Sequence, residues 1–429
     1  MTVAHWRERK IGDLLRIKHG FAFLGEHFAN EGTHVVLTPG NFLEEGGFKE
    51  QPDKAKWYTG RVPPEYVLSA GDVIVAMTEQ AEGLLGSSAI VPKSEKYLHN
   101  QRLGLVQVLD RMQTELRFVY YLFNSASVRQ QIRGSASGTK IRHTSPTRIG
   151  DVRVAVPPLS EQLRIAGILA SYDDLLMNGQ RRVEILEAML RGVYQEWFVH
   201  FRFPGHAGCS FEKTALGITP RGWLPTSVGD ISVIRRGRSY RSADLAESGG
   251  LPFLNLKCIN RDGGFRRSGL KRYVGEYAPH HTARRGDIVV AVTDMTQERR
   301  IVGRAGLVPS LGAEFGVVSM DLVRVEPRPG VSAAFLYSFL RFSGFADEVK
   351  QHANGANVLH LSPERITAFV FARPPSALIE RFAALVSPIL EQCDTLQNQI
   401  VTLRRTRDLL LPRLLSGQLD VSTLPEALE

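Results

Sequence analysis

Cysteine is scarce: Cys209, Cys258 and Cys393 are the three in 429 residues, far apart and never as Cys-x-x-Cys. That spacing excludes a disulfide framework and a zinc module, and it fits a reducing cytoplasm. No run of about 18 consecutive apolar residues occurs, which excludes a membrane-spanning helix. The opening MTVAHWRERKIGD has no apolar stretch of the kind a secretory signal carries. Phosphate and cofactor fingerprints are missing too. Gly-Lys never occurs, so there is no P-loop, and G-x-G-x-x-G, H-E-x-x-H and G-x-S-x-G are absent. The Pro-Pro pairs stand in VPPE, VPPL and RPPS, so no Asp/Asn-Pro-Pro-aromatic tetrapeptide is present to hold an exocyclic amine. No Gly-rich loop suits S-adenosylmethionine. His280-His281, being adjacent, makes a poor metal pair and is expected at the surface; Asp173-Asp174 is expected to be a solvated helix face. No catalytic residue and no metal site are expected, and the chain reads as a binding protein.

What the chain has in excess is positive charge, +9 net with a pI near 9.5, which favours a polyanionic partner. With 43% hydrophobic and 23% charged residues it is a core-forming protein. Its length allows two or three domains at about 150 residues each.

It also has an internal repeat. Shifted by 217 residues, Trp6, Gly12, Asp13 and Gly20 fall on Trp223, Gly229, Asp230 and Gly237. The same shift lays Gly46-Gly47-Phe48 on Gly263-Gly264-Phe265, GTKIRHTSPTRI (138–149) on GANVLHLSPERI (355–366), and Pro157-Pro158 on Pro374-Pro375. Gly71-Asp72 and Gly286-Asp287 match at 215, and a loop after Thr293 two residues longer than that after Thr78 restores the offset. The chain is two copies of one unit.

Each copy carries the same parts in order. DVIVAM (72–77) and DIVVAV (287–292) are β-branched runs after a Gly-Asp turn and predict strands. Helical spacing marks 114–132 and 331–349. Ser145-Pro146 and Ser362-Pro363 have the form of an N-cap followed by Pro at the first helical position. After each Pro-Pro comes a long helical pattern. The first runs from near Ser160 to about His200, with Leu163, Leu169, Leu186, Leu190 and Trp197 in its apolar stripe. Phe382, Ile389, Leu396, Leu403, Leu410 and Leu414 mark the second. A helix of about 40 residues is about 60 Å long. Such stripes serve either a domain core or a coiled coil, and their matched positions favour mutual pairing. Asn178-Gly179 and Pro388 are expected to kink these helices.

Residues 1–156 carry 20 basic against 16 acidic side chains, and 226–373 carry 21 against 14. Residues 157–225 are balanced at seven each, and 374–429 hold five basic against seven acidic. The excess therefore lies in the two α/β segments, as expected if they face phosphates while the helices face protein.

PPLSEQLRIAGILASYDDLL (157–176) and TRDLLLPRLLSGQL (406–419), set in this alternating layout, resemble the specificity subunits of type I restriction–modification systems. The resemblance covers essentially the whole chain. PPSALIERF (374–382) departs from it by lacking the Glu-Gln pair of the first copy. It implies an α+β protein with two repeated α/β target-recognition domains, joined by two long helices in an antiparallel coiled coil with pseudo-two-fold symmetry. The expected division is 1–157 as the first recognition domain and 158–205 as a central helical spacer. Residues 206–374 are linker and second recognition domain, with its core at 226–374, and 375–429 a C-terminal helical spacer. The implied role is cytoplasmic host defence without catalysis in this chain. Each domain binds half of a bipartite double-stranded DNA target. The helices act as a ruler and dock two methylation subunits and then restriction (translocase) subunits. S-adenosylmethionine, ATP and Mg belong to those partners, and no cofactor belongs to this chain. The readings that compete are the recognition part of a single-chain restriction or methylation enzyme, and a coiled-coil adaptor without DNA specificity.

Identity between copies sorts the contact residues. What both copies share cannot distinguish two half-sites, so His143 and His360 are assigned to fold before phosphate, and Gly138 and Gly355, like Arg148 and Arg365, to fold or phosphate. Residues that differ at matched positions are the candidates for base edges, since Arg and Lys suit guanine and Asn and Gln adenine. These are Lys18 and His19 against Arg235 and Arg236, with Arg238 and Arg241 beyond; Lys140 against Asn357; Arg142 against Leu359; and Thr38 against Asn255, with Lys257 nearby. Gln80 in one variable loop and Gln297, Arg299 and Arg300 in its counterpart complete the set.

Overall fold

A computed structural model describes residues 6–79, 82–422 and 424. The chain forms two units, one ending at Met177 and resuming at Thr402, the other spanning Asn178–Val401. Both long helices, Leu159–Tyr194 and Ser376–Leu415, cross that division. The helices are thus not separate regions, as the sequence division had them: each unit owns a piece of both.

The repeat is a repeat of topology. In the first unit a four-stranded sheet runs in the order Leu15–His19, Leu103–Val108, Val73–Ala76, Ser88–Ile90. In the second the order is Ser232–Arg236, Leu322–Pro327, Ile288–Ala291, Ala305–Leu307. The two β-branched runs are the buried strands Val73–Ala76 and Ile288–Ala291, apolar on both faces because both faces are covered. A second sheet in each unit contains one parallel pair, His34–Val36 with Tyr97–Leu98 and Leu251–Leu254 with Gly316–Val318.

The patterns expected as single helices at 114–132 and 331–349 are each broken once, giving Leu116–Phe123 and Ala126–Gly134, and Ala333–Phe342 and Phe345–Val349. In the first copy Asn124 leaves the helix to accept a hydrogen bond from the Ser88 amide at 3.0 Å, and Ser125 caps the next helix. Ser145 accepts from the Arg148 amide at 3.3 Å, as an N-cap should. Ser362 makes no such cap bond, although Pro363 still opens its helix.

The starts of the long helices explain where the copies diverge. Glu161 accepts from the Trp6 indole N–H at 3.0 Å. Gln162 accepts from the Glu115 amide and donates to the carbonyls of Gln113 and Pro157, all at 2.9 Å. The Glu-Gln pair thereby fastens the helix to its domain through buried polar groups that are paired. The second copy has Leu378 and Ile379 there, and Leu378 packs with Trp223 and Phe203 instead. A polar fastening has become an apolar one at the same place.

Within the first unit, Ile165, Ala166 and Leu169 share a core with Leu410, Leu414 and Leu415. Within the second, Leu190, Tyr194 and the half-buried Trp197 share one with Ile379, Phe382, Val386 and Ile389. Early residues of one helix meet late residues of the other in both units, so the pair is antiparallel. Leu396 is buried, and Leu186 and Leu403 are half-buried. Leu163 corrects the expected stripe: it is 43% exposed, and Ile165 takes the inward place. Asp173 is a further correction, since it is not solvated. Its carboxylate accepts from Arg407 at 2.8 Å and from the Tyr121 hydroxyl at 2.7 Å. The helices run on through Asn178-Gly179 and Pro388 rather than ending there. Gly179 instead admits Ile400, whose Cγ1 lies 3.0 Å from where a Cβ would stand.

Candidate nucleic-acid interface

At one end of each four-stranded sheet the chain builds the same small frame. Thr78–Glu79 pairs with Arg142–His143, and Thr293–Asp294 with Leu359–His360. The turn before each histidine is closed by paired backbone bonds, Ser137 with His143 and Asn354 with His360, at 2.8–3.0 Å. Gly138 and Gly355 sit at positive φ, and a Cβ on either would lie 2.0 Å from the carbonyl oxygen of Ile141 or Val358. Glycine is therefore required to form the turn that holds Lys140 or Asn357 at its exposed tip.

Beside this turn lies the loop that differs in length, and a buried carboxylate organises it in both units. Glu79 accepts from the amides of Gly83, Leu84 and Leu85 at 3.1, 3.0 and 2.8 Å. Asp294 accepts from the amides of Thr296 and Ile301 at 2.8 and 3.0 Å, and from the Thr296 hydroxyl. Three or more donors satisfy each carboxylate out of water.

A third segment completes the frame. Gly20 and Gly237 let the strand exit press against a neighbouring chain, since a Cβ on either would meet Asn100 or Ser319 carbonyl oxygen at 2.0 Å. The Phe21 amide donates to His99 carbonyl, the Gln101 amide to Phe21, and the Met77 amide to Arg102, each at 2.9 Å. In the second unit Arg238 donates to Val318 at 2.7 Å, Met320 to Arg238 at 2.8 Å and Val292 to Asp321 at 2.9 Å. The first unit opens here into a groove of about 370 Å³ lined by His19, Met77, Thr78, Gln101, Arg102 and His143. Beneath it His99 is buried, its Nε2 donating to Leu103 carbonyl at 2.9 Å, and burial pushes its pKa down to about 4. The frame rests on a neutral imidazole.

A family model described as type I restriction modification DNA specificity domain matches residues 4–187, which span the first copy of this frame and most of the first long helix. That match covers less than half of the chain. The MjaIX specificity subunit of Methanocaldococcus jannaschii is 24% identical over 314 residues, covering 72% of this chain and 70% of the relative. The HindI specificity subunit of Haemophilus influenzae is 24% identical over 97% of this chain and all of the relative. The crystal structure of a type I system S subunit from M. genitalium has the same fold, with a TM-score of 0.61, 17% identity and 96% of both chains covered.

The sequence candidates divide into groups. His19 and His143 meet in the groove, and His143 Nδ1 lies 3.2 Å from the Thr78 hydroxyl. Lys140 and Arg142 are exposed on the adjoining turn. Lys18 turns back, donating to Glu65 carbonyl at 2.5 Å over the Tyr66 ring. Arg148 donates to Ser137 at 2.8 Å, and Arg365 is exposed on the matching helix. In the second unit Gln297 donates to Ala356 carbonyl at 2.8 Å, joining its loop to the turn that bears Asn357. Arg299, at φ 54°, donates to Gln351 carbonyl, and Arg300 lies 3.8 Å from Glu298. Arg235 and Arg236 are exposed but paired with Glu326 and Glu364 at 3.2 and 3.3 Å. Arg238 is half-buried, and its Nε has no partner among the described residues.

Asn255 is a correction. It is buried, accepts from the Lys257 amide at 2.9 Å and donates to Gly269 carbonyl at 2.8 Å, so it shapes a helical turn and presents nothing to a base. Thr38 opens the equivalent turn in the first unit. Lys257 and Arg241 are exposed beside the second sheet rather than at the frame. Gln80 lies outside the described residues. Sequence reasoning missed Glu79 and Asp294, whose common sign at matched positions next to a variable loop was the available signal. It also missed Gln101 and Arg102.

Proposed function

We propose that this chain is the DNA-specificity subunit of a type I restriction–modification complex. Each α/β domain recognises one half of a bipartite double-stranded target, and the helix pair sets the unread gap. One observation carries the reading: the two units repeat one backbone frame while the side chains on it differ in length, charge and hydrogen-bonding capacity. A scaffold held constant with its displayed groups varied is what two different half-sites require. The positive excess of both α/β segments supplies the sequence-independent attraction to phosphates. The chain acts in the cytoplasm and docks methylation subunits, two copies by the repeat, and restriction or translocase subunits. Those partners carry adenine methylation with S-adenosylmethionine and ATP- and Mg-dependent translocation and cleavage. The methylated adenine is flipped into a partner's pocket and not into this chain.

Co-purification with a cognate methylation subunit, followed by methylome sequencing of DNA modified by the complex, tests this. One bipartite motif with an unread gap is expected. Methyl transfer or cleavage by the isolated chain would overturn the non-catalytic assignment. A complex that leaves no bipartite mark would overturn the recognition role.

A further inference from the structure

Matching the two frames bond for bond pairs residues that the sequence offset does not. At an offset of 217, Gln101 would fall on Val318, a buried strand residue. The hydrogen bonds give a different answer. The Gln101 amide donates to Phe21 carbonyl as the Met320 amide donates to Arg238 carbonyl. Arg102 carbonyl accepts from Met77 as Asp321 carbonyl accepts from Val292. The Leu103 amide closes onto Asn100 at 2.9 Å as the Leu322 amide closes onto Ser319 at 3.0 Å. Gln101 and Met320 therefore occupy one position, held on three sides by backbone bonds and fixed by a glycine contact identical in both units.

The side chains at that position are exposed in both units and chemically opposite. Gln101 presents an amide, and the next residue adds the Arg102 guanidinium, which has no hydrogen-bond or ion-pair partner among the described residues. Met320, 48% exposed, presents a thioether, and its successor Asp321 turns inward to accept from the Thr293 hydroxyl at 3.1 Å. A rigid backbone that displays unlike side chains at one place, which in the first unit faces the groove lined by His19 and His143, is what reading a base edge demands.

We infer that Gln101 and Met320 are equivalent base-reading residues, one in each recognition domain. Gln101 pairs with adenine through the two-point hydrogen bonding that an amide allows in the major groove, with Arg102 beside it. Met320 packs on a thymine methyl group, the apolar feature of that groove. This rests on the reading of the chain as a DNA-specificity subunit.

The test is selection of bound sequences from a randomised duplex pool by the full chain in complex with its methylation subunit. It compares wild type with Gln101→Ala, Met320→Ala and Met320→Gln. Wild type should select a bipartite motif. Gln101→Ala should relax one adenine position of one half-site, where discrimination of about five- to hundredfold is expected, and leave the gap and the other half-site unchanged. Met320→Ala should relax one thymine of the other half-site, and Met320→Gln should shift that position toward adenine. Unchanged motifs for the Gln101 and Met320 variants would overturn the inference while leaving the proposed function standing. Failure of the wild-type complex to select any bipartite motif would overturn both. Since these side chains are exposed, equal melting temperatures confirm that a changed motif is not a folding defect.

Discussion

His99 is the residue whose ionisation most directly touches the recognition frame. It is buried, and its folded pKa of about 4 lies below the ordinary 6.5, chiefly because burial disfavours the imidazolium. Above pH 6.5 folded and unfolded chains both hold a neutral ring, and the group contributes nothing to pH dependence. As pH falls through 6.5 toward 4 the unfolded chain binds a proton that the folded chain refuses, so stability drops, by about 2 kcal/mol at pH 5. Melts of the full chain between pH 7.5 and 5 should show that decline, and His99→Gln should remove most of its slope. Asp173 makes a second case. Arg407 and the buried Tyr121 converge on it, and the Arg407 and Asp173 side chains are 19% and 26% exposed, so Asp173→Asn should cost about 1–3 kcal/mol, less than a fully buried pair would. Combining it with Arg407→Leu should cost less than the sum of the two single changes if the pair is coupled. At this scale the sequence was only partly legible. Gly138 and Gly355 were narrowed by their identity in both copies to fold or phosphate, and their positive φ gives them a place in the turn. Asn255 was misjudged because residue type announces hydrogen-bonding capacity, not whether the fold has already used it. Asp173 was misjudged because its partner lies more than two hundred residues away.

Among the elements, the two long helices were read from their apolar period with ends close to those found, because a period sustained over ten turns leaves few alternatives. What the period could not show is how closely they approach. Gly179 was expected to kink its helix and instead lets Ile400 in. Gly179→Ala should lie within about 1 kcal/mol of wild type, since the gain in helix propensity offsets a Cβ that pushes Ile400 by a few tenths of an ångström. Gly179→Val should lose about 1–3 kcal/mol by overpacking, and Ile400→Ala should restore part of that loss in chemical denaturation. The shorter helices were misjudged as single pieces because Asn124 and Ser125 break the run for a tertiary reason, a bond to Ser88, that lies outside the local pattern.

For the whole molecule, the repeat was the most legible feature, and the order of the four-stranded sheet reproduces it in both units. The drift to 215 was legible, whereas the drift to 219 at Gln101 and Met320 was not, and it lies beside the frame that displays the variable side chains. Removing four residues from each helix, beside 178 and beside 401, shortens the pair by about 6 Å. The complex should then select the same half-sites with a gap shorter by about two base pairs. Exchanging residues 226–373 for the same segment of a relative should replace one half-site and leave the other intact, as motif sequencing would show. A change in both half-sites would mean that the domains do not read independently.

The division of each helix between two units also sets a timetable. The first unit takes its last pieces, including Leu410 and Leu414, from chain that begins 225 residues after Met177. At about 5–20 residues per second a ribosome needs roughly 10 to 45 s to cover that distance. Throughout that interval the apolar faces of Ile165 and Leu169 have been made and their covering helix has not. The first unit to be synthesised is therefore the last to be finished, and the nascent chain spends its longest wait with its first core open.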